Sequence, residues 1–237
     1  MENIADLFLL RKDITFLNFG SFGATPAPIF DAYQKWQRVL EAEPVQYIVF
    51  DGPGYLQTSR EALAKYIGVA DKDDLVFVTN PSFAVNMVAK NFPLQPGDQI
   101  LTTDIEYGAC DRTWEYYCAQ KGAEYVKQKI TLPITSKEKF IEEFFAGITP
   151  KTKAVFISHI TSATALKLPV HEICAMAKQK GLITFVDGAH GPAQTEVDLA
   201  TLQADFYTGA CHKWMMAPKG CSFLYAHKSV QPICDPL

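Results

Sequence analysis

From residue 75 onward the chain alternates short apolar runs with helix-like stretches, and this rhythm constrains the fold more than any other feature. Leu75-Val76-Phe77-Val78 is an apolar run ended by Thr79-Asn80-Pro81-Ser82, and a helical pattern follows over 83–91. The same pairing recurs. Strand signals fall at 99–102, 124–126, 153–158, 182–186, 205–208 and 222–225, with helix signals at 109–120, 137–145 and 169–181. Short apolar runs bounded by Gly, Asp or Asn signal buried strands, while apolar residues at a 3.6-residue period signal helices. Strands alternating with helices predict an α/β fold of three layers, α/β/α, with a mainly parallel central sheet. The first seventy residues differ: helical patterns at 26–41 and 55–67 flank an irregular stretch containing Pro44, Gly52, Pro53 and Gly54. The expected division is therefore an N-terminal arm with its helices, residues 1–70, packed on a main domain, residues 71–237.

With 237 residues and 48% hydrophobic content, the chain has ample apolar material for a sizeable core. Its formal net charge of -4, without a basic run, gives no electrostatic reason to expect nucleic acid or an anionic membrane as partner. A small molecule is the expected partner. The apolar patch near the N-terminus is followed by charge rather than preceded by it, and no apolar run is long enough to span a bilayer. A cytoplasmic location is the resulting expectation. Cys110, Cys118, Cys174, Cys211, Cys221 and Cys234 form no Cys-x-x-Cys pair, and their apolar surroundings suit reduced, buried thiols. After the apolar run at 222–225 the sequence reaches Leu237 without a polar tail, and it reads as cut within an architecture.

In an open α/β sheet, ligands gather at the carboxyl ends of the strands. The polar residues that follow each expected strand are Ser82; Asp104, Glu106 and Tyr107; Ser158, His159, Thr161 and Ser162; Asp187 and His190; and His212 and Lys213. One rim thus collects a lysine, an acid, histidines, an aromatic ring and a hydroxyl at a helix start. Pyridoxal 5′-phosphate requires that set: an amine to form an imine, a carboxylate against the pyridine nitrogen, and donors for the phosphate. Taken singly, each residue has an ordinary explanation. A loop lysine is usually a surface charge, an Asp-Gly pair is often a turn, and Ser82 reads equally well as an N-cap. Tyr107 reads equally well as a packed rim residue. Their order and spacing together carry the reading.

Five segments extend it: Leu17-Asn18-Phe19-Gly20-Ser21-Phe22-Gly23, Thr79-Asn80-Pro81-Ser82-Phe83-Ala84-Val85-Asn86, Ser158-His159-Ile160-Thr161-Ser162, Val186-Asp187-Gly188-Ala189-His190, and Cys211-His212-Lys213-Trp214 with Pro218-Lys219-Gly220. In this order they resemble the class V aminotransferase family of fold-type I pyridoxal-phosphate enzymes, in its isopenicillin N epimerase-like branch, with cysteine desulfurases as cousins. The resemblance covers essentially the whole chain. It implies that Lys213 is the Schiff-base lysine and proton shuttle, that Asp187 pairs with the pyridine nitrogen, and that Ala189 packs on the ring. His190 is implied near the ring hydroxyl, with Ser162 as a further contact. His212 and Ser82, with the backbone around Phe83, are implied as phosphate ligands, and Tyr107 as the ring stacked above the cofactor. Ser21 and Phe22 would stand at the cofactor mouth, near the substrate. The family further implies a homodimer and a C-terminal small domain that these 237 residues do not contain. That domain supplies an arginine for the substrate carboxylate and, in desulfurases, the nucleophilic cysteine. Two positions depart from the pattern: Ala210 stands where relatives often carry Ser or Asn, and Pro81 removes one N–H donor before the phosphate helix.

Other chemistries fit less well. No Gly-x-x-x-x-Gly-Lys-Ser/Thr or Gly-x-Gly-x-x-Gly occurs, so nucleotide binding through those loops is not indicated. A metal on Asp187, His190 and His159 would leave Lys213 without a role, and no metal is expected. The first functional expectation is an enzyme acting at the alpha carbon of an amino acid or derivative, epimerase-like or aminotransferase-like. A cysteine desulfurase or carbon–sulfur lyase is the alternative, and a non-catalytic binding or structural subunit of the same fold is the alternative of another class.

Overall fold

The computed structural model describes residues 4–235. Seven strands form one sheet: β1 (Leu75–Val78), β2 (Gln99–Thr103), β3 (Glu124–Gln128), β4 (Thr152–Ser158), β5 (Ile183–Gly188), β6 (Phe206–Ala210) and β7 (Ser222–Ala226). The order across the sheet is β1-β7-β6-β5-β4-β2-β3. Pairs β2–β3, β2–β4, β4–β5 and β5–β6 are parallel, whereas β7 runs antiparallel to both of its neighbours. The helices are α1 (Phe19–Phe22), α2 (Ala27–Ala42), α3 (Gly52–Tyr66), α4 (Pro81–Asn91), α5 (Gly108–Gln120), α6 (Lys137–Phe145), α7 (Val170–Gln179) and α8 (Leu199–Leu202).

The strands are apolar on both sides because both sides are covered. Ala154 and Phe156 of β4 join Phe185, Phe206 and Leu224 in a core completed by Val85, Val88, Trp114 and Cys118 from α4 and α5. The intervening Val155 and Ile157 point the other way, with Val186, Tyr207 and Phe223, onto Phe140, Phe144 and Ile173 of α6 and α7 and Ile67 beyond α3. Successive strand side chains face opposite ways, so one strand serves two cores. This is the expected three-layer α/β/α sandwich. Among the described residues no helix is long and apolar enough to cross a membrane.

One expectation fails. After a bend at Glu43, residues 44–54 are not irregular but helical: Tyr47 N–H donates to Glu43 O (2.9 Å), and Gln46–Asp51 winds as π-helix directly into α3. The prolines do not interrupt it. Pro53 is the second residue of α3, and because the helix runs on from the π-turn, its ring withholds one N–H from the preceding turn without ending the helix. A Cβ on Gly52 would meet Tyr47 O at 2.8 Å, so the wide turn itself selects glycine there. α2 buries none of its residues, and Ile29, Phe30, Tyr33, Trp36 and Val39 are exposed along it.

Candidate active site

The carboxyl ends of β1, β2, β4, β5 and β6 open on a cavity of about 370 Å³. Ser21, Phe22, Ser82, Tyr107, Ser162, Asp187, Ala189, His190, His212 and Lys213 all line it, so ten of the expected site residues meet at one place. The structure adds Asn80, Pro81, Ser158 and Ile160 to the wall. Phe83 does not line it.

Lys213 stands on the connection between β6 and β7, a hairpin held by His212 N–H to Cys221 O (3.0 Å) and Ala217 N–H to Cys211 O (3.0 Å). Its Nζ lies 3.3 Å from His190 Nε2, and the indole Nε1–H of Trp214 donates to His190 Nδ1 at 3.2 Å. Burial pulls the lysine below its ordinary pKa, opposed by the negative charge of Asp187, and a larger share is therefore the neutral amine that attacks carbonyls. Burial likewise holds His190 at about 4, so its ring is neutral at physiological pH.

Asp187 ends β5, in register with Ser158 on one side and Thr208 on the other. It is 4% exposed. Oδ1 accepts the Ala189 N–H at 3.0 Å and Oδ2 accepts the Cys110 thiol at 3.5 Å. A carboxylate has about four acceptor sites, so capacity remains for a donor arriving from the cavity. Burial raises its pKa, countered by the Ala189 amide, Lys213 and Cys110. The Cys110 thiol, enclosed and facing Asp187, Glu106 and Asp111, is pushed well above its usual range and stays protonated.

Glu106 follows β2 on the same rim, and the sequence offered no role for it. Its carboxylate accepts Ser158 N–H (2.9 Å), the Ser158 hydroxyl and the Thr103 hydroxyl (2.7 Å). Burial pushes it up to about 7 against those bonds, with Asp187 adding to the rise. The residue as a whole is half-buried, and these donors surround its carboxylate. Its place after a strand was visible in the sequence; its burial was not.

The opposite end of the cavity is built for an anion. Asn80, not Ser82, caps α4: its Oδ1 accepts the Phe83 N–H at 2.8 Å. The Phe83 amide, expected at the phosphate, is thereby committed to the cap, while Ser82 in the first turn lines the cavity. That turn also carries the positive end of the helix dipole. His212 Nδ1 lies 3.0 Å from Cys221 O, which leaves Nε2 as the ring's free nitrogen. Burial lowers the His212 pKa, and Lys213 and Lys219 lower it further; an anion reverses that effect.

The arm closes the cavity. Gly23 has φ 65 and ψ 179, and a Cβ there would lie 2.2 Å from His212 O and 2.6 Å from Lys213 O. Thr25 donates to Ala217 O (3.1 Å), and Phe19 stacks on Trp214 with centroids 6.1 Å apart. Ser21 and Phe22 are thereby held at the mouth, with Phe22 70% exposed and free to meet a second molecule.

An amine, an enclosed carboxylate with spare acceptor capacity, and a hydroxyl and imidazole beside a helix start line one cavity, and these are the groups that pyridoxal phosphate requires. The comparison with known sequences is specific: residues 53–237 match the model of the aminotransferase class-V family, and the chain belongs to that family. Pyridoxal phosphate is the cofactor. The isopenicillin N epimerase of Amycolatopsis lactamdurans is 38% identical over 226 residues, 94% of this chain and 56% of that protein. The L-cysteine desulfhydrase-like protein lolT1 of Epichloe uncinata is 27% identical over 93% of this chain and 49% of its own length. The chain thus spans about half the length of the curated relatives it matches. In fold it superposes on the cystine C–S lyase C-DES, solved with cysteine persulfide, with a TM-score of 0.85 and 24% identity over 95% of this chain and 60% of that one.

Proposed function

We propose that residues 71–237 are the cofactor-binding large domain of an enzyme acting at the alpha carbon of an amino acid or amino-acid derivative, epimerase-like or aminotransferase-like. Residues 1–70 are its arm. The observation that carries this reading is the pairing of Lys213 with Asp187 across one cavity, with Ser82 and His212 at its far end. Bound pyridoxal phosphate supplies an electron-accepting ring that stabilises negative charge at the alpha carbon. Lys213 Nζ would hold the cofactor and hold or return the alpha proton. Asp187, its carboxylate fixed by the Ala189 amide and Cys110 thiol, would take the cofactor's ring N–H. Ser82 and the free nitrogen of His212 would hold the phosphate. His190, Ser162, Ala189 and Tyr107 would hold the ring, and Ser21 and Phe22 would keep water from the mouth.

A carbon–sulfur lyase or cysteine desulfurase is the second reading, favoured by the desulfhydrase-like relative. Exchange of the alpha proton for deuterium without sulfide release supports the first; sulfide release from cysteine supports the second. The exposed apolar row on α2 supports a homodimer. The reading is tested by adding pyridoxal phosphate, reducing with borohydride and mapping the adduct by peptide mass. The adduct is expected on Lys213 and absent from Lys213→Ala. An adduct on another lysine, or one that persists in the variant, overturns the assignment.

A further inference from the structure

The contacts around Lys213 determine more than its position. Trp214 Nε1 can only donate, and it points at His190 Nδ1 from 3.2 Å. Nδ1 must therefore be the bare, accepting nitrogen. The ring is neutral, because burial keeps it from taking a second proton. A neutral imidazole carries its single proton on the other nitrogen, so Nε2 is an N–H donor. That donor faces Lys213 Nζ at 3.3 Å. An ammonium has no lone pair and would meet this N–H proton to proton. Only the free-base amine can accept it.

We propose that Trp214 is a positioning residue: by fixing the His190 tautomer, its indole N–H holds Lys213 as the free amine that attacks the cofactor aldehyde. The inference rests on the reading of Lys213 as the attachment point, and deepens it. Charged and titratable groups facing the amine are few. Asp187, near the end of β5, favours the ammonium, enclosure of the site opposes it, and the Cys110 thiol from α5, being protonated, adds no charge. His212 adjoins Lys213 in the chain and is itself held below its ordinary pKa by burial. His190 adds the directional element that bulk burial lacks, since its donor rewards one protonation state of the amine alone.

Trp214→Phe keeps an aromatic ring opposite Phe19 and removes the N–H together with part of the indole's bulk, a loss of packing that the Phe19 variant below controls for. His190 can then carry its proton on Nδ1 and accept from the lysine ammonium. The midpoint of Lys213 reactivity is expected to rise by about one pH unit, with labelling at neutral pH slowed about tenfold, the scale of one hydrogen bond to a charged group. Phe19→Leu removes the ring stack but not the donor, and its midpoint is expected to stay in place. Trinitrobenzenesulfonate, which attacks neutral amines, is the probe on the 237-residue chain. Labelling is followed at the Lys213 peptide across pH. This readout needs no cofactor, so failure of pyridoxal phosphate to attach would sink the functional reading and leave the inference standing. An unmoved midpoint in Trp214→Phe overturns the inference, as does an equal shift in Phe19→Leu. Should Trp214→Phe not fold, imidazole nitrogen shifts of the unsubstituted chain decide: protonated Nε2 on His190 is expected, and protonated Nδ1 refutes it.

Discussion

Gly23→Ala should release the arm from the lysine hairpin while leaving the core folded. At φ 65 and ψ 179, Gly23 occupies a region essentially closed to residues with a side chain, at a cost of about 1–3 kcal/mol. The new Cβ would also stand 2.2 Å from His212 O and 2.6 Å from Lys213 O, both backbone atoms that cannot swing aside. Together these effects exceed ~3 kcal/mol, more than a hundredfold in a docking equilibrium. The contacts that hold the arm here are modest. The Thr25–Ala217 hydrogen bond is worth ~1 kcal/mol and the Phe19–Trp214 stack ~1 kcal/mol. The penalty wins, so the arm lets go. Neither core cluster contains a residue before Leu63, so the denaturation midpoint of the domain should barely move. Hydrogen exchange read by mass spectrometry is the assay: residues 19–25 and 211–217 should lose protection together, with the rest unchanged. Gly54→Ala is the control, since nothing lies within 4 Å of its Cβ and alanine favours the helix it occupies. Unchanged exchange in both segments of Gly23→Ala would refute the close approach of arm and hairpin.

Two further outcomes follow from burial. His159 is 2% exposed and held at about 4 against an ordinary 6.5, so the unfolded chain binds more protons in that window and His159 contributes stability that is lost as pH falls from 6.5 to 4. The loss amounts to ~3 kcal/mol, and His159→Gln, measured by denaturant unfolding at several pH values, should flatten the slope by that amount. Trp114, 1% exposed between Phe92 and Phe156, should cost ~3–5 kcal/mol on replacement by alanine, seen as a lower urea midpoint; a loss under 1 kcal/mol would contradict its place in the core.

The strands were legible because each is a short apolar run ended by a turn residue, and β4 shows why: its alternate residues serve two cores, so no polar face breaks the signal. The rim was legible for the same reason, since Ser82, Tyr107, Ser162, His190, His212 and Lys213 all follow strand ends, whereas Ser21 and Phe22 come from the arm. Residues 44–54 misled because Pro and Gly read as breakers, while in space they fill a helix's first turn and a wide π-turn. Asn80 took the cap from Ser82 because its side-chain oxygen reaches the Phe83 amide from two positions before the serine. Cys110 and Glu106 drew no role because their meaning is enclosure beside Asp187, set by the packing of α5 on the sheet. No local pattern encodes that. Trp214 belonged to a recognised motif, but its use depends on one nitrogen facing another across a hairpin.

The placement of β7 also dictates when the site can come into being. Among the described residues β1 pairs only with β7, which lies between β1 and β6. A chain emerging from the ribosome can assemble β2 to β6 in order, while β1 waits without its partner until β7 appears. Threading β7 into that gap completes the sheet and, in the same motion, bends the hairpin that carries Lys213. Lys213 therefore takes up its place on the rim only once β7 has joined the sheet.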